Sequence, residues 1–193
     1  MTSKHSIILA SASPRRRELL KQLAVTFKVA PANIDESIVD GETPTNYVLR
    51  MSREKAMAGL AQNGGNVPAL GSDTIVVLND RILGKPESHT EAASMLMRLS
   101  GQTHHVYSAV ALASKSDRLL NTLNITAVSF GKMPLEWIKW YCQSEEPMDK
   151  AGAYAVQGSA GQYIARIDGS YSGVMGLPLY ETAEILRQAG LLE

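Results

Sequence analysis

The amino-acid sequence predicts an α/β protein whose mixed β-sheet is flanked by helices. Strand-like and helix-like segments alternate along the chain, which is typical of this class. The turn residues Asn79-Asp80 and Lys115-Ser116-Asp117 each separate two apolar segments and predict two antiparallel hairpins in the middle of the chain. Because a purely parallel, doubly wound sheet contains no hairpins, we expect strands that run in both directions.

Length and composition narrow the class of protein. A chain of 193 residues predicts a single domain over 1–193, with room for two lobes. The formal net charge is zero, so the chain lacks the overall basic charge of a nucleic-acid-binding protein. The single Cys142 excludes an internal disulfide, which is typical of a reducing compartment. With no apolar run long enough for a bilayer and no signal-peptide pattern at the start, we expect a cytoplasmic protein with no membrane partner.

The first strand and helix are joined by a very short connection. Ile7 to Ala10 is an apolar run that predicts a buried strand, and Ser11, Ala12 and Ser13 follow it directly. Ser13 is a suitable N-cap and Pro14 suits the first helical position, so a helix begins there.

Three consecutive arginines lie in the first turn of this helix. Cations are unfavourable there by about 0.3–1 kcal/mol each, because the free N–H groups already carry partial positive charge. Arg15, Arg16 and Arg17 therefore indicate a site for an anion, and a phosphate group fits best because arginine can bind it with two hydrogen bonds. The alternative is a solvated basic helix start that contacts nothing.

A lysine interrupts the apolar face of the next predicted helix. Thr43-Pro44 gives an N-cap and a first helical position, and Val48, Met51 and Ala58 form the apolar stripe. Lys55 falls on that stripe. It either extends along the apolar surface to reach solvent or is held inside for a functional purpose.

An aspartate precedes a strongly apolar strand. The run from Thr74 to Val77 is β-branched, and Asp73 lies at its start after Gly71 and Ser72. A carboxylate there loses hydration unless it is paired, which favours a metal-binding or general-base role. The alternative is a loop aspartate that caps its own turn.

Several polar residues in loops are further candidates. Glu36 follows Asp35 in a loop, Lys85 is fixed between Gly84 and Pro86, and the segment from Asp149 to Gly158 mixes charged and small residues with one amide, Gln157. By contrast, His104 and His105 are adjacent on a strand and point to opposite faces, so they are poorly placed to share a metal.

Together these residues indicate a polyphosphate ligand. Arg15, Arg16, Lys55 and Lys85 are cations on different elements, and Glu36 and Asp73 are acids on different elements. Carboxylates prefer Mg²⁺ or Mn²⁺, and Mg²⁺ often binds through few protein ligands together with substrate phosphates. The chemistry that fits is attack of water at phosphorus, with a divalent metal cation as cofactor.

Eight sequence blocks, in order along nearly the whole chain, resemble the Maf family of nucleoside triphosphate pyrophosphatases. The blocks are Leu9-Ala10-Ser11-x-Ser13-Pro14-Arg15-Arg16, Asp35-Glu36, Arg53-Glu54-Lys55-Ala56, Gly71-Ser72-Asp73-Thr74, Gly84-Lys85-Pro86, Ser100-Gly101, Asp149-Lys150-Ala151-Gly152-Ala153-Tyr154 and Gly176-Leu177-Pro178.

The resemblance implies a two-lobed α/β fold with a central cleft, similar to that of inosine triphosphate pyrophosphatases. It implies hydrolysis of a nucleoside triphosphate to the monophosphate and pyrophosphate, with Asp73 as the proton acceptor that activates water. It also implies a metal site at Glu36 and Asp73, and it implies phosphate binding by four residues: Ser11, Arg16, Lys55 and Lys85. A homodimer is consistent with the family.

Three further residues resemble the branch of the family that prefers dTTP and UTP. These are Arg15, Thr74 and Gln157, and an amide such as Gln157 can both donate to and accept from a uracil or thymine edge. Ser72 departs mildly from this branch, in which alanine is frequent. Two alternatives remain: the sister branch that acts on 7-methyl-GTP, and a nucleotide-binding regulator of cell division or septum formation.

Overall fold

A mixed seven-stranded sheet forms the framework of the computed structural model, which describes residues 6–115 and 118–193. The elements in chain order are β1 (Ser6–Leu9), α1 (Pro14–Lys21), β2 (Thr26–Val29), α2 (Pro44–Gln62), β3 (Ala69–Leu78), β4 (Arg81–Leu83), α3 (His89–Leu99), β5 (Thr103–Ala113), β6 (Leu119–Phe130), α4 (Leu135–Tyr141), β7 (Ile164–Asp168), α5 (Tyr171–Met175) and α6 (Leu179–Gln188). The strand order is β2-β1-β3-β5-β6-β7, and β4 also pairs with β3.

The sheet contains both strand directions, so the predicted mixed α/β class is confirmed. Strand β1 is parallel to β2 and β3, and the other pairs are antiparallel. The hairpin at Asn79-Asp80 is present as β3–β4, and both turn residues have positive φ, as a tight hairpin turn requires. The strands of the second predicted hairpin pair as β5–β6, although residues 116 and 117 of its turn lie outside the described residues.

One edge of β3 is only partly covered. Strand β1 pairs with Ala69 and Leu70 at one end, and β4 pairs with Val76 to Leu78 at the other. Among the described residues, no strand pairs with the edge between them. Side chains from both faces of β3 therefore meet in this gap.

Helices cover both faces of the sheet. On one face α2 packs closely against β3 and β5, with Ala56 fully buried next to Ala111. On the other face α1 and α6 cover Leu70 and Leu112, while α3 and α4 cover Val76 and Val106. A buried band of hydroxyl side chains separates these two apolar clusters, formed by Ser72, Ser108 and Thr126.

One local expectation is wrong. Strand β3 begins at Ala69, so Asp73 lies in the middle of the strand and not at its start. Glycine and serine are weak strand formers, but Gly71 is needed because α2 lies directly above it. Residues Ser159–Tyr163 form a 3₁₀-helix before β7. His104 and His105 lie within β5, with His104 buried and His105 exposed on opposite faces, as expected.

Other details agree with the sequence. Ser13 and Thr43 cap α1 and α2, each accepting a hydrogen bond from a backbone N–H three residues on. Cys142 is buried, consistent with a structural residue. No helix in the described part of the chain has both the length and the apolar character needed to cross a bilayer.

Replacing Gly71 with alanine is expected to destabilise the fold. The added Cβ would lie 2.3 Å from the carbonyl oxygen of Ser52 and 2.4 Å from the backbone nitrogen of Ala56, so α2 would have to shift. Overpacking of this kind costs about 1–3 kcal/mol or more. Urea denaturation measures the loss. Gly131→Ala is the matched control, because its Cβ would meet its nearest neighbour at an ordinary 3.7 Å. Equal stabilities of the two variants would contradict the close approach of α2.

Candidate active site

A cavity of about 650 Å³ opens at the uncovered edge of β3. This volume is in the usual range for small-molecule sites. The nine residues to which the sequence analysis gave a catalytic, metal-binding, phosphate-binding or specificity role line this one cavity: Ser11, Arg15, Arg16, Glu36, Lys55, Asp73, Thr74, Lys85 and Gln157. They come from separate loops, helices and a strand, so the fold brings together residues that are distant in sequence.

The centre of the cavity is an ion-pair group formed by Lys55, Asp73 and Glu36. The Nζ of Lys55 lies 2.8 Å from Oδ1 of Asp73 and 2.9 Å from Oε1 of Glu36. Lys55 and Asp73 are each only 7% exposed. Lys55 therefore does not extend to solvent. Asp73 does not cap its own turn. The two alternatives, a lysine that reaches solvent and a turn-capping aspartate, are therefore both wrong.

Glu36 is held in this group although it lies outside any helix or strand. The hydroxyl of Tyr47 donates a hydrogen bond of 2.9 Å to the backbone carbonyl of Glu36. Partial burial raises the pKa of the Glu36 carboxyl. The positive charges of Lys55, Lys85 and Arg16 together lower it by more, so the pKa lies below its ordinary value. Glu36 is therefore a carboxylate at neutral pH. Burial, with the charges of Asp73 and Glu36, raises the pKa of Tyr47 to about 12, so its hydroxyl remains a donor.

Arg16 is fixed at the cavity wall by three hydrogen bonds. Its Nε donates to the carbonyl of Gly176 at 2.8 Å, Nη1 to Oγ of Ser11 at 3.3 Å and Nη2 to Oγ1 of Thr74 at 3.4 Å. Burial lowers the pKa of Arg16, partly opposed by the charges of Asp73 and Glu36, and the guanidinium stays charged at neutral pH. The alternative interpretation, a solvated basic helix start that contacts nothing, is therefore wrong for Arg16.

The other two arginines differ from Arg16. Arg15 points to the rim of the cavity, where Nη1 lies 3.7 Å from Oδ2 of Asp149. Arg17 is exposed, and its Nε lies 3.5 Å from Oε1 of Glu18. Only the first two arginines of the run line the cavity.

A directed chain of hydroxyl groups supports Arg16. Ser108 donates to the carbonyl of Gly173 at 2.6 Å, and its Oγ lies 2.9 Å from Oγ1 of Thr74. Since the hydrogen of Ser108 is already used, the Thr74 hydroxyl donates either to Ser108 or to the carbonyl of Gly176 at 3.3 Å, and in both cases its oxygen accepts from Arg16. The sequence reasoning missed Ser108 and α5. A signal existed, because Ser108 is a hydroxyl residue inside an otherwise apolar strand.

Lys85 and Gln157 lie at the open side of the cavity. Both are exposed, and neither has a hydrogen-bond or ion-pair partner within residues 6–115 and 118–193. The two loops that carry them are joined, because the N–H of Gly152 donates to the carbonyl of Gly84 at 3.0 Å. Their polar groups are thus free to meet a ligand.

Nearly the whole chain is similar in sequence to proteins of one known family. Residues 6–189 match the family model described as Maf-like protein. The chain belongs to the Maf family. It is 51% identical to the dTTP/UTP pyrophosphatase of Escherichia coli (strain K12), over 94% of this chain and 91% of that protein. It is 48% identical to the dTTP/UTP pyrophosphatase of Pseudoalteromonas atlantica, over 96% of this chain and 97% of that protein. The predicted resemblance to the Maf family is therefore confirmed.

A solved structure supports the fold class. A HAM1 protein from Coxiella burnetii is 17% identical and superposes with a TM-score of 0.53, covering 95% of this Maf-family chain and 99% of that protein. At this identity the similarity concerns the fold alone, which is the same mixed α/β arrangement.

Two carboxylates of this Maf-family site lie close enough together to bear on metal binding. The described residues contain no group of three or more histidine, cysteine, aspartate or glutamate side chains that could hold a metal ion. Glu36 and Asp73 nevertheless converge on one point, the Nζ of Lys55, and provide two carboxylates there. Mg²⁺ commonly binds through one or two carboxylates together with substrate phosphates. The residues therefore fit a divalent cation that shares its ligands with a polyphosphate.

The buried His104 below the cavity is expected to make stability depend on pH. Its Nε2 lies 2.7 Å from the hydroxyl of the cavity residue Tyr154, and burial lowers the pKa of His104 to about 4. Between about pH 4 and 6.5 this histidine binds a proton in the unfolded chain but not in the folded protein. The free energy of unfolding therefore decreases as the pH is lowered through this range, by up to roughly 3 kcal/mol.

Urea denaturation across this pH range measures the effect. His104→Gln should reduce the pH dependence, because the amide keeps a partner for Tyr154 and does not titrate. His105→Gln on the exposed face of β5 is the control and should change the slope little. The same slope in wild type and His104→Gln would rule out a buried neutral histidine.

Proposed function

We propose that this protein hydrolyses dTTP and UTP to the nucleoside monophosphate and pyrophosphate. The observation that carries the proposal is the position of Asp73: a buried carboxylate within one cavity that also holds the cations needed to bind a triphosphate. The names of relatives that are about half identical to this chain support the same reaction.

The cations of the cavity suit the negative charge of a triphosphate. Arg16 uses only three of its five N–H donors on protein groups, so the others are available to phosphate oxygens. We assign phosphate binding to Arg16, Lys55 and Lys85, with the hydroxyl of Ser11 as a further donor. Fixed positive charge of this kind positions the phosphates and stabilises the charge that develops as the anhydride bond breaks.

Asp73 suits the role of general base. Its Oδ1 accepts from Lys55, while Oδ2 accepts no hydrogen bond from any side chain or backbone group in the described part of the chain. Oδ2 is thus available to orient a water molecule and take its proton as the water attacks phosphorus. In the free protein Lys55 fixes the orientation of this carboxyl.

Glu36 and Asp73 would hold a divalent cation, Mg²⁺ or Mn²⁺. Such a cation supplies further neutralisation of the phosphate charge when bound. For the nucleobase we assign the exposed amide of Gln157, with Arg15 at the rim and Thr74 acting through Arg16. A cytoplasmic location and a homodimer remain predictions.

Replacing Asp73 with asparagine is expected to abolish most turnover but to keep nucleotide binding. Loss of a general base reduces turnover by about 100-fold or more, while the phosphate-binding cations remain. Pyrophosphate release measures turnover and calorimetry measures affinity. Asp80→Asn is the matched control, because Asp80 is an exposed hairpin residue with positive φ, which asparagine tolerates. Unchanged turnover in Asp73→Asn would refute the role assigned to this carboxyl.

A substrate panel tests the specificity. With Mg²⁺ or Mn²⁺, pyrophosphate release should be faster from dTTP and UTP than from CTP, GTP or 7-methyl-GTP. Gln157→Glu should lower kcat/KM for UTP by about tenfold, because the carboxylate loses the donor of the amide. Preference for 7-methyl-GTP would keep the reaction and contradict the assigned specificity residues. Absence of turnover with every nucleotide would favour a regulator of cell division that binds nucleotides.

A further inference from the structure

The position that a divalent cation would take between Glu36 and Asp73 is occupied by the ammonium group of Lys55. The Nζ atom lies 2.9 Å from Glu36 Oε1 and 2.8 Å from Asp73 Oδ1, so it already satisfies one oxygen of each carboxylate. Lys55 is buried on α2. A cation that takes the position between these two oxygens in the free protein must therefore displace a buried lysine.

The charge of the whole cavity also opposes a free cation. Its lining carries five cationic side chains and three carboxylates, a formal surplus of two positive charges; the cations are Arg15, Arg16, Lys55, Lys85 and Lys150, and the carboxylates are Glu36, Asp73 and Asp149. A bare divalent ion is repelled by this surplus. A complex of the ion with a nucleoside triphosphate remains anionic and is attracted.

We propose that Lys55 excludes the divalent cation from the free protein, so that metal enters only as its complex with the nucleotide. When the complex binds, Lys55 moves its hydrogen bonds from Glu36 and Asp73 to phosphate oxygens, and the two carboxylates become free for the metal. The ammonium group is thus paired with anionic oxygens in both states. This inference rests on the proposed function and specifies the form of its substrate.

Binding of Mn²⁺ to protein without turnover tests the proposal, with electron paramagnetic resonance reporting free Mn²⁺. Wild-type protein should bind Mn²⁺ weakly on its own. It should bind Mn²⁺ at least about tenfold more tightly with a UTP analogue that has a methylene bridge between the α and β phosphorus atoms. Tight binding of Mn²⁺ to the free wild-type protein would overturn the proposal.

Lys55→Met removes the ammonium group and keeps a chain of similar length. Without nucleotide, this variant should bind Mn²⁺ about tenfold or more tightly than wild type, because both carboxylates are left unpaired. Lys85→Met is the matched control. It removes the same charge from the cavity, but Lys85 forms no ion pair with a carboxylate in the described part of the chain, so its effect should be several-fold smaller. Equal effects of the two variants would overturn the proposal, since only overall charge would then matter.

The wild-type measurement remains decisive if Lys55→Met does not fold. The melting temperature of wild-type protein should be unchanged by Mn²⁺ alone and should rise with Mn²⁺ and the analogue together. These readouts do not depend on catalysis. Loss of the proposed function would appear as absent pyrophosphate release, whereas failure of this inference would appear as binding of Mn²⁺ to the free protein.

Discussion

The Lys55 ammonium group between Asp73 and Glu36 is the interaction on which the site depends. A buried charge is tolerated only when it is paired, and the buried Lys55 and Asp73 pair with each other, while the more exposed Glu36 gives Lys55 a second carboxylate. The pairing fixes a helix, a strand and an irregular loop relative to one another. It also keeps Glu36 ionised, since Lys55 is the main cause that lowers the pKa of its carboxyl.

The geometry of β3 makes this arrangement possible. Its partners β1 and β4 cover only the two ends of one edge, so the middle of the strand is open on that side. Asp73 and Thr74 point to opposite faces, and both still line the cavity because of this opening. One residue therefore meets Lys55 from α2, and the next meets Arg16 from α1.

The sequence signal for three residues that line the cavity was a charge in conflict with its local environment. Lys55 on an apolar stripe, Asp73 beside an apolar run and Arg16 at a positive helix end are all unfavourable without partners, and each proved to have them. Glu36 had no such conflict, so the residue pattern made it only a candidate acid and the family resemblance supplied its role.

Ser108 and α5 were missed because they act through contacts between residues far apart in sequence. The mixed sheet followed from the hairpins, but the strand order did not. Parallel pairing of β1 with β2 and β3 depends on packing that a local pattern does not contain.

The hydrogen bond from Gly152 to Gly84 joins two loops that are far apart in sequence. One of the joined loops carries Gln157 and the other carries Lys85. A displacement of the first loop is therefore transmitted to Lys85. Under the proposed function, this contact would couple the fit of the base at one loop to the alignment of the phosphates at the other.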